Sequence, residues 1–530
     1  MLRLRAQGEN FSSSNPKPRA PFAVALTRVI WRLIACLSFA AAHVTPSAGT
    51  LNHLAGQFPS PPYLLTFGPG PTATKAGFFL NNQRINPVIL RRNLPAPSIE
   101  ELTQYKAEGF NVLLVRLQPD HAANPEVALY LDRCRANGMP VIVEYATDIW
   151  GGWLQGRPSR NLQLSPDYPG GEKYVRYYPD FANPEVRDHV RNEVRSLVSS
   201  LRPYHGRPII AYSDGAYDEY HLPDGETHSH FNVYHPHPLG EGNQTWVPYG
   251  PRTADDFRHY LSSRDIDPAA LGFHSLSEVF APSDKFTSRN SEHWRYWLLY
   301  RRHYVAGYIE FVNAALRSLS SLPVTGTIDL NFSLNENFAA PFVDIADFYD
   351  FYIFYYYRYG KLPASQSIPA QLETVRWEAA RRRKPVISLL EFSSQIGPRP
   401  ISIGDYLSYS LPYVSGFAFF PDKTLGENVF AGIVQGYSKT RSWDIGPPKA
   451  DAAVFLWPLD VNHWDQAVTF GQVLRRQGCA YDVIYDYREF GKYRKLYIPP
   501  NQPAFGSNSA GQMAVKSFVK GGGVVLRSPF

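Results

Sequence analysis

The feature that most constrains the fold of this chain is a repeated alternation of apolar segments with helical segments. Segments such as "NVLLVRLQ" and "MPVIVEYA" are apolar along most of their length, and helical patterns such as "NPEVALYLDRCRANG" separate them. Strands of this kind are buried on both faces, which is typical of a parallel sheet covered by helices. Eight such strands occur within residues 50–449, and the sequence therefore predicts a (β/α)8 TIM barrel. The other predicted strands are the one after the hairpin "GFFLNNQRINPVIL", then "RPIIAYSDG", "LPVTGTID", "VDIADFYDFYIF", "KPVISLLEF" and "VSGFAFFP".

A second α/β pattern begins near residue 450. The segments "DAAVFLWPLD", "YDVIYD" and "YRKLYIPP" alternate with helix-like stretches, and this order resembles the start of a flavodoxin-like domain. The pattern stops at "VVLRSPF", where a central strand is expected, so we expect residues 450–530 to be a truncated lobe. Such a lobe would carry an unpaired sheet edge and would promote association.

Residues 1–49 have the order of a secretory signal peptide with an N-terminal extension. Two arginines precede the uncharged "LIACLSFAAAHV" and the small-residue stretch "TPSAGT", and the apolar run is too short to span a bilayer. We therefore expect a secreted or periplasmic protein without stable membrane insertion. "LIAC" leaves open a lipoprotein anchored through Cys36. Six basic residues against Glu9 alone lie in this segment, so the nearly neutral remainder excludes a nucleic-acid partner.

Cysteine and aromatic content narrow the chemistry further. Removal of the signal leaves Cys134 and Cys479 in different predicted domains, which indicates neither a disulfide framework nor a thiolate metal site. The sequence predicts no cofactor. The 34 tyrosines, 32 phenylalanines and 10 tryptophans suit a flat apolar ligand such as a sugar face, and we expect a carbohydrate substrate.

Two predicted strands end in carboxylates. Glu391 stands where the apolar strand "KPVISLLEF" stops, and "AYSDGAYDEYH" offers Asp214, Asp218 and Glu219 after the fourth strand. The carboxyl ends of barrel strands hold the active site, and a retaining glycosidase needs two carboxyl groups roughly 5 to 5.5 Å apart. We predict that Glu219 and Glu391 lie within about 6 Å of each other. Asp214 is interpreted as a loop-capping carboxylate.

These segments and their order resemble glycoside hydrolase family 42, the β-galactosidases of clan A, over residues 60–530. The resemblance implies that Glu391 is the nucleophile and Glu219 the acid/base, and that Arg116 at the end of "NVLLVR" supports the nucleophile. It also matches Trp153 and Tyr352 to substrate-binding positions. A homotrimer of the full-length protein is implied through the trimerisation domain that residue 450 begins.

The chain departs from the family pattern at several positions. Asp218 stands in place of the asparagine before the acid/base, "LQPD" replaces the motif after Arg116, and the family's cysteine zinc cluster has no counterpart. An aspartate there cannot donate to a sugar hydroxyl unless it is protonated. Two alternatives therefore stay open: a catalytically impaired carbohydrate-binding barrel, and another clan A β-glycosidase activity.

Two further motifs compete with this assignment. Asn335 and Glu336 form a second Asn-Glu pair, but they follow the fifth strand, which favours a surface loop. The histidines of "HLPDGETHSHFNVYHPHP", residues 221–237, suggest a metal site, although histidine clusters broken by proline in a long loop are mostly solvated. We therefore predict no metal.

Overall fold

The computed structural model describes sixteen stretches of the chain, all of which lie in the unit Pro61–Phe530. The N-terminal segment 1–49, with its predicted signal peptide, lies outside them. The described residues are 62–69, 75–146, 161–162, 178–179, 181–215, 251–280, 291–329, 342–356, 364–391, 403–420, 446, 449–455, 470–471, 473–484, 486–498 and 509–526. Among them, no helix is long and apolar enough to cross a membrane.

Eight parallel strands close into a barrel, which confirms the predicted fold. Each strand pairs in parallel with the next along the chain, and the eighth pairs with the first. The strands are β1 Val88–Arg91, β2 Val112–Leu117, β3 Val141–Tyr145, β4 Ile209–Ser213, β5 Val324–Asp329, β6 Phe351–Tyr356, β7 Val386–Glu391 and β8 Gly416–Phe420.

Helices connect the barrel strands. They are α1 Ile99–Glu108, α2 Pro125–Ala136, α3 Pro184–Leu201, α4 Pro251–Ser262, α5 Glu292–Leu319, α6 Phe342–Ile345, α7 Ala364–Arg382 and α8 Ile403–Ser410. Short 3₁₀ turns cover Pro119–Ala123, Arg202–Tyr204, Pro268–Leu271, Leu276–Glu278 and Ala346–Phe348. At α1 the capping box is present, because the Glu101 amide donates to Ser98 Oγ at 3.0 Å and the Ser98 amide donates to the Glu101 carboxylate at 2.6 Å.

The sixth strand is shorter than the sequence predicts. "VDIADFYDFYIF" was expected to be a strand throughout, whereas α6 and a 3₁₀ turn precede β6, which begins at Phe351. Asp347 explains the difference, since its exposed carboxylate pairs with the Arg382 guanidinium at 2.6 Å. A buried strand offers no place for that ion pair, and the chain turns outward before it enters the barrel.

A three-stranded antiparallel sheet closes the N-terminal end of the barrel. Its strands are Leu65–Pro69, Ala76–Leu80 and Gln83–Ile85. The predicted hairpin is confirmed, with a two-residue turn whose residues both have positive φ. The rings of Phe67 and Phe78 lie 5.6 and 5.4 Å from the ring of Phe351. A further two-stranded pair joins Asn161–Leu162 to Tyr178–Pro179.

A separate parallel sheet follows the barrel. Its strands are β9 Ala452–Phe455, β10 Tyr481–Ile484, β11 Lys495–Tyr497 and β12 Val524–Leu526, with a 3₁₀ turn at Tyr487–Lys492 and helix α9 Ser509–Lys520. The order β10-β9-β11-β12 is that of the first four strands of a flavodoxin-type sheet. Among the described strands β12 lies at the edge, and half of Val524 is exposed there. The sheet packs on the barrel through α7 and β10.

A buried histidine makes stability depend on pH. The His293 ring packs among Phe257, Phe273 and Phe280, and its Nε2 lies 2.7 Å from the Phe280 carbonyl oxygen. Burial lowers the pKa of His293 below its ordinary value of 6.5. The unfolded chain therefore takes up a proton first as the pH falls.

We expect the free energy of unfolding to fall as the pH drops from about 6.5 through the lowered pKa of His293. The neutral ring contributes its full stability above that window. His293→Phe should reduce this slope, as measured by urea unfolding at a series of pH values. The exposed His274 provides the matched control, His274→Asn, and an equal change of slope in both variants would contradict the assignment.

Candidate active site

The antiparallel sheet lies at one end of the barrel, and the carboxyl ends of the strands lie at the other. Among the described residues, the antiparallel sheet leaves this second end open. Glu391 is the last residue of β7, and its backbone pairs with Phe420, the last residue of β8. A carboxylate residue therefore stands at the strand end that the sequence predicted. The C-terminal ends of barrel strands are where enzymes of this architecture place their reacting groups.

A group of four charged and polar side chains lies at this end of the barrel, and we call it the rim cluster. Glu144 on β3 is completely buried at its centre. The Arg91 guanidinium Nη2 donates to Glu144 Oε1 at 2.8 Å, and Arg116 Nε lies 3.8 Å from the same oxygen. The Thr327 hydroxyl on β5 donates to Glu144 Oε2 at 2.9 Å. One carboxylate thus links four strands of the barrel.

Strand alternation explains why these residues share one face. Successive side chains of a strand point to opposite faces, so residues two apart lie on the same side. Each member of the rim cluster on the first three strands stands two residues beyond an apolar residue of the core that fills the barrel interior. These pairs are Ile89 and Arg91, Leu114 and Arg116, and Ile142 and Glu144.

The rim cluster extends toward β7 through an aromatic ring. The Arg91 guanidinium carbon lies 3.8 Å from the centroid of the Phe420 ring, a cation–π contact. Because Phe420 pairs with Glu391, the cluster reaches the strand next to the predicted nucleophile. The cluster contains two guanidiniums and one carboxylate.

Gly215 allows the chain after β4 to approach the end of β3. Its φ is +56°, and a Cβ added at this position would lie 1.9 Å from the Tyr145 carbonyl oxygen and 3.5 Å from Glu144 Cγ. Both the left-handed backbone and the contact distance exclude a larger residue. The segment that leads to Asp218 and Glu219 therefore starts against the rim cluster.

Gly215→Ala is expected to destabilise the fold by about 1–3 kcal/mol, because a side chain at positive φ is strained and the added carbon collides with backbone. Thermal unfolding followed by circular dichroism measures the effect. Gly272→Ala is the matched control, since Gly272 also has positive φ but no atom within 4 Å of the added Cβ. Equal losses in the two variants would show that contact with Tyr145 is unimportant.

Asp214 occupies a structural position. Its carboxylate is completely buried, and Oδ2 accepts a hydrogen bond from the Asn313 amide of α5 at 2.7 Å. The Asp214 backbone amide donates to the Thr325 carbonyl oxygen at 2.9 Å. These contacts hold the end of β4 against α5 and β5, so Asp214 has a structural role. The predicted loop cap is not among these contacts and stays a prediction.

The structure describes the side chains of two predicted site residues, Arg116 and Tyr352, and they lie in different environments. Arg116 belongs to the rim cluster, near the mouth. Tyr352 does not lie at the mouth, and this corrects its assignment: it is completely buried near the start of β6, and its hydroxyl donates to the Ala346 carbonyl oxygen at 2.8 Å. Burial raises the pKa of this phenol. Tyr352 therefore packs between the sheet and the helices.

Other predicted site residues lie outside the part of the chain that the structure describes. These are Trp153, Asp218, Glu219, the histidine-rich segment 221–237 and the alternative pair Asn335 and Glu336. The side chain of Glu391 is also outside it, so the predicted carboxyl separation stays a prediction. Within the described residues, no group of three histidine, cysteine, aspartate or glutamate residues could hold a metal ion. Cys134 and Cys479 are both free there.

Sequence reasoning missed Glu144 and Arg91. The available signal was a single charged residue inside the otherwise apolar strand "MPVIVEYA", together with the arginine that ends "PVILR". A charge is rarely buried unless it is paired. A lone carboxylate within a buried strand therefore indicates a cationic partner on a neighbouring strand.

Comparison with solved structures identifies proteins of the same fold. The chain is similar to a β-galactosidase from Rahnella sp. R3, with a TM-score of 0.63 and 14% identity over 83% of this chain and 70% of that one. A β-galactosidase from Halorubrum lacusprofundi matches with a TM-score of 0.61 and 15% identity over 83% and 72% of the two chains. Gan42B, a GH42 β-galactosidase from G. stearothermophilus, matches in a catalytic-mutant structure with a TM-score of 0.60 and 14% identity over 83% and 71%.

Sequence comparisons give no relative. No protein-family model matches this chain, and no curated protein sequence matches it. The similarity is therefore one of backbone fold. The sequence identities are too low to assign an activity by themselves. The described chain shares the (β/α)8 barrel fold of these β-galactosidases.

Proposed function

We propose that this protein is a retaining β-glycosidase that hydrolyses terminal β-galactosides or related β-glycosides. The observation that carries the proposal is the position of Glu391 at the carboxyl end of β7, beside the strand whose Phe420 ring contacts Arg91. Position 391 shares its strand face with Ile387 and Leu389, which belong to the interior core. A nucleophilic carboxylate is expected at such a place.

The proposed reaction proceeds by two displacements. The Glu391 carboxylate attacks the anomeric carbon, and the bond from that carbon to the leaving oxygen breaks while Glu219 donates a proton to the oxygen. A water molecule then attacks the same carbon, Glu219 accepts its proton, and the bond to Glu391 breaks. Arg116 would support the nucleophile through its positive charge. The likeness in fold to β-galactosidases favours galactose as the sugar.

Asp218 favours a second candidate function, a carbohydrate-binding barrel with impaired catalysis. If Asp218 stands beside the acid/base, its charge should raise the pKa of Glu219, and Asp218→Asn should then move the basic limb of the pH–rate profile downward. A protein that only binds carbohydrate would have no turnover and therefore no pH–rate profile. An unchanged profile and rate in Asp218→Asn would place Asp218 away from the site.

A panel of aryl β-glycosides tests the proposal on the full chain. We expect the largest kcat/KM with the β-galactoside and release of a β-configured sugar at early times. Preference for a β-mannoside or β-glucoside would assign another clan A activity. Saturable sugar binding by calorimetry without turnover of any glycoside would establish the binding barrel instead.

The proposal extends to the location and assembly of the protein. Residues 1–49 support export through a signal peptide, with Cys36 as the alternative lipid attachment point. The strand order after the barrel supports a flavodoxin-like lobe of the trimerisation type, so a homotrimer is proposed for the full-length protein. N-terminal sequencing of the exported protein and light scattering test these two statements.

A further inference from the structure

We propose that Glu144 is a positioning residue for the reaction, which fixes the Arg91 and Arg116 guanidiniums at the barrel mouth beside the Glu391 position. This inference rests on the proposed function. It concerns a residue that touches neither the sugar nor the reacting atoms in the proposed mechanism. Glu144 would act through the two arginines alone.

The geometry around Glu144 defines a rigid bridge. Oε1 accepts from Arg91 at 2.8 Å and lies 3.8 Å from Arg116 Nε, while Oε2 accepts from the Thr327 hydroxyl at 2.9 Å. From β4, the uncharged Ser213 pairs with Glu144 through the backbone, and Gly215 packs on its Cγ side. Among the described residues, the charged groups that contact Glu144 are therefore the two arginines.

Burial makes this arrangement stiff. The Glu144 side chain has no exposed surface, and the side chains of Arg91 and Arg116 are 11% and 15% exposed. A buried carboxylate that is hydrogen-bonded on both oxygens cannot change its rotamer without losing its partners. The Arg91 guanidinium is consequently held by a hydrogen bond, and the Arg116 guanidinium lies within ion-pair distance, before any substrate enters. Such preorganisation avoids rearrangement during the reaction.

Charge gives Glu144 a second effect on the site. The Glu144 carboxylate places one negative charge between the Arg91 and Arg116 guanidiniums. Removal of this charge would make the rim cluster more positive by one unit charge near position 391. A carboxylate there would stay ionised to lower pH but would be a weaker nucleophile.

Glu144→Gln tests the charge while keeping the shape of the side chain. We expect kcat for an aryl β-galactoside to fall about 10- to 100-fold and the acidic limb of the kcat/KM profile to move down by about one pH unit. Glu373→Gln is the matched control, because Glu373 is an equally buried, arginine-paired carboxylate on α7, against the second sheet. In Glu373→Gln the acidic limb of the kcat/KM profile should stay at the wild-type pH.

Glu144→Asp separates position from charge and covers the case in which the glutamine variant does not fold. It keeps the negative charge but withdraws the carboxylate by one methylene, so kcat should fall about tenfold or more with the acidic limb unchanged. Wild-type kcat in a folded Glu144→Asp protein, or a Glu144→Gln limb that stays in place, would overturn the inference. The variant Glu391→Ala separates failure of this inference from failure of the proposed function. The proposed function fails if the wild type hydrolyses no β-glycoside or if Glu391→Ala retains full activity.

Discussion

Replacing Glu391 with alanine is expected to lower kcat for an aryl β-galactoside by at least about a thousandfold. Under the proposed mechanism the variant keeps the acid/base and the rim cluster but cannot form the covalent intermediate. Residue 391 is the last residue of β7, and a substitution at this strand end should leave the barrel folded. Steady-state kinetics together with circular dichroism measure both quantities.

Added azide separates the two catalytic roles. In Glu391→Ala an azide ion would attack the anomeric carbon once in place of the carboxylate, so the glycosyl azide should have inverted configuration. In Glu219→Ala azide would attack the glycosyl-enzyme, and two displacements should give retained configuration. Full activity of Glu391→Ala, or retained configuration from it, would contradict the assignment of Glu391 as the nucleophile.

Arg376→Met is expected to reduce the free energy of unfolding by about 3–5 kcal/mol. Arg376 on α7 forms an ion pair with Asp482 on β10, and their side chains are 6% and 11% exposed. Nearby, Glu373 of α7 pairs with Arg475 and accepts a hydrogen bond from the Tyr413 hydroxyl at 3.1 Å. Burial lowers the pKa of Arg376 and raises that of Glu373. Removal of Arg376 would leave Asp482 buried without its charge partner.

The double variant Arg376→Met with Asp482→Leu should recover most of this loss, because an apolar pair of similar volume replaces both charges. Urea unfolding of the wild type, both single variants and the double variant completes the cycle. Arg381→Met is the control, since Arg381 lies on the same helix but is half exposed. A loss no larger than that of the control would show that the second sheet does not depend on this pair.

The barrel could be predicted because most of its strands are apolar nearly throughout and helical segments separate them. The structure of the segment that leads into the sixth strand could not be predicted in this way. Aspartates at 344, 347 and 350 interrupt its aromatic run, and the backbone is helical over residues 342–348, where Asp347 pairs with Arg382. Partners far apart in the chain decided this local structure.

The strand end at Glu391 was predictable, because the apolar run stops at a charge there. Glu144 lies one residue before the end of a buried strand, and its sequence neighbours give no indication of Arg91 on β1. Tyr352 was wrongly assigned because an aromatic run does not reveal which alternate residues face the interior. Phe351 and Ile353 belong to the interior core, whereas Tyr352 packs toward the helices.

Covalent trapping tests the central claim most directly. The full chain would be incubated with an activated 2-deoxy-2-fluoro β-galactoside, whose fluorine slows breakdown of the glycosyl-enzyme more than a good leaving group slows its formation. Intact mass and peptide mass spectrometry would then locate the label. The account predicts one fluorogalactosyl group per chain, on Glu391 within the segment "KPVISLLEFSSQ". Labelling of a different carboxylate, or turnover of β-galactosides by a chain that is never labelled, would contradict it.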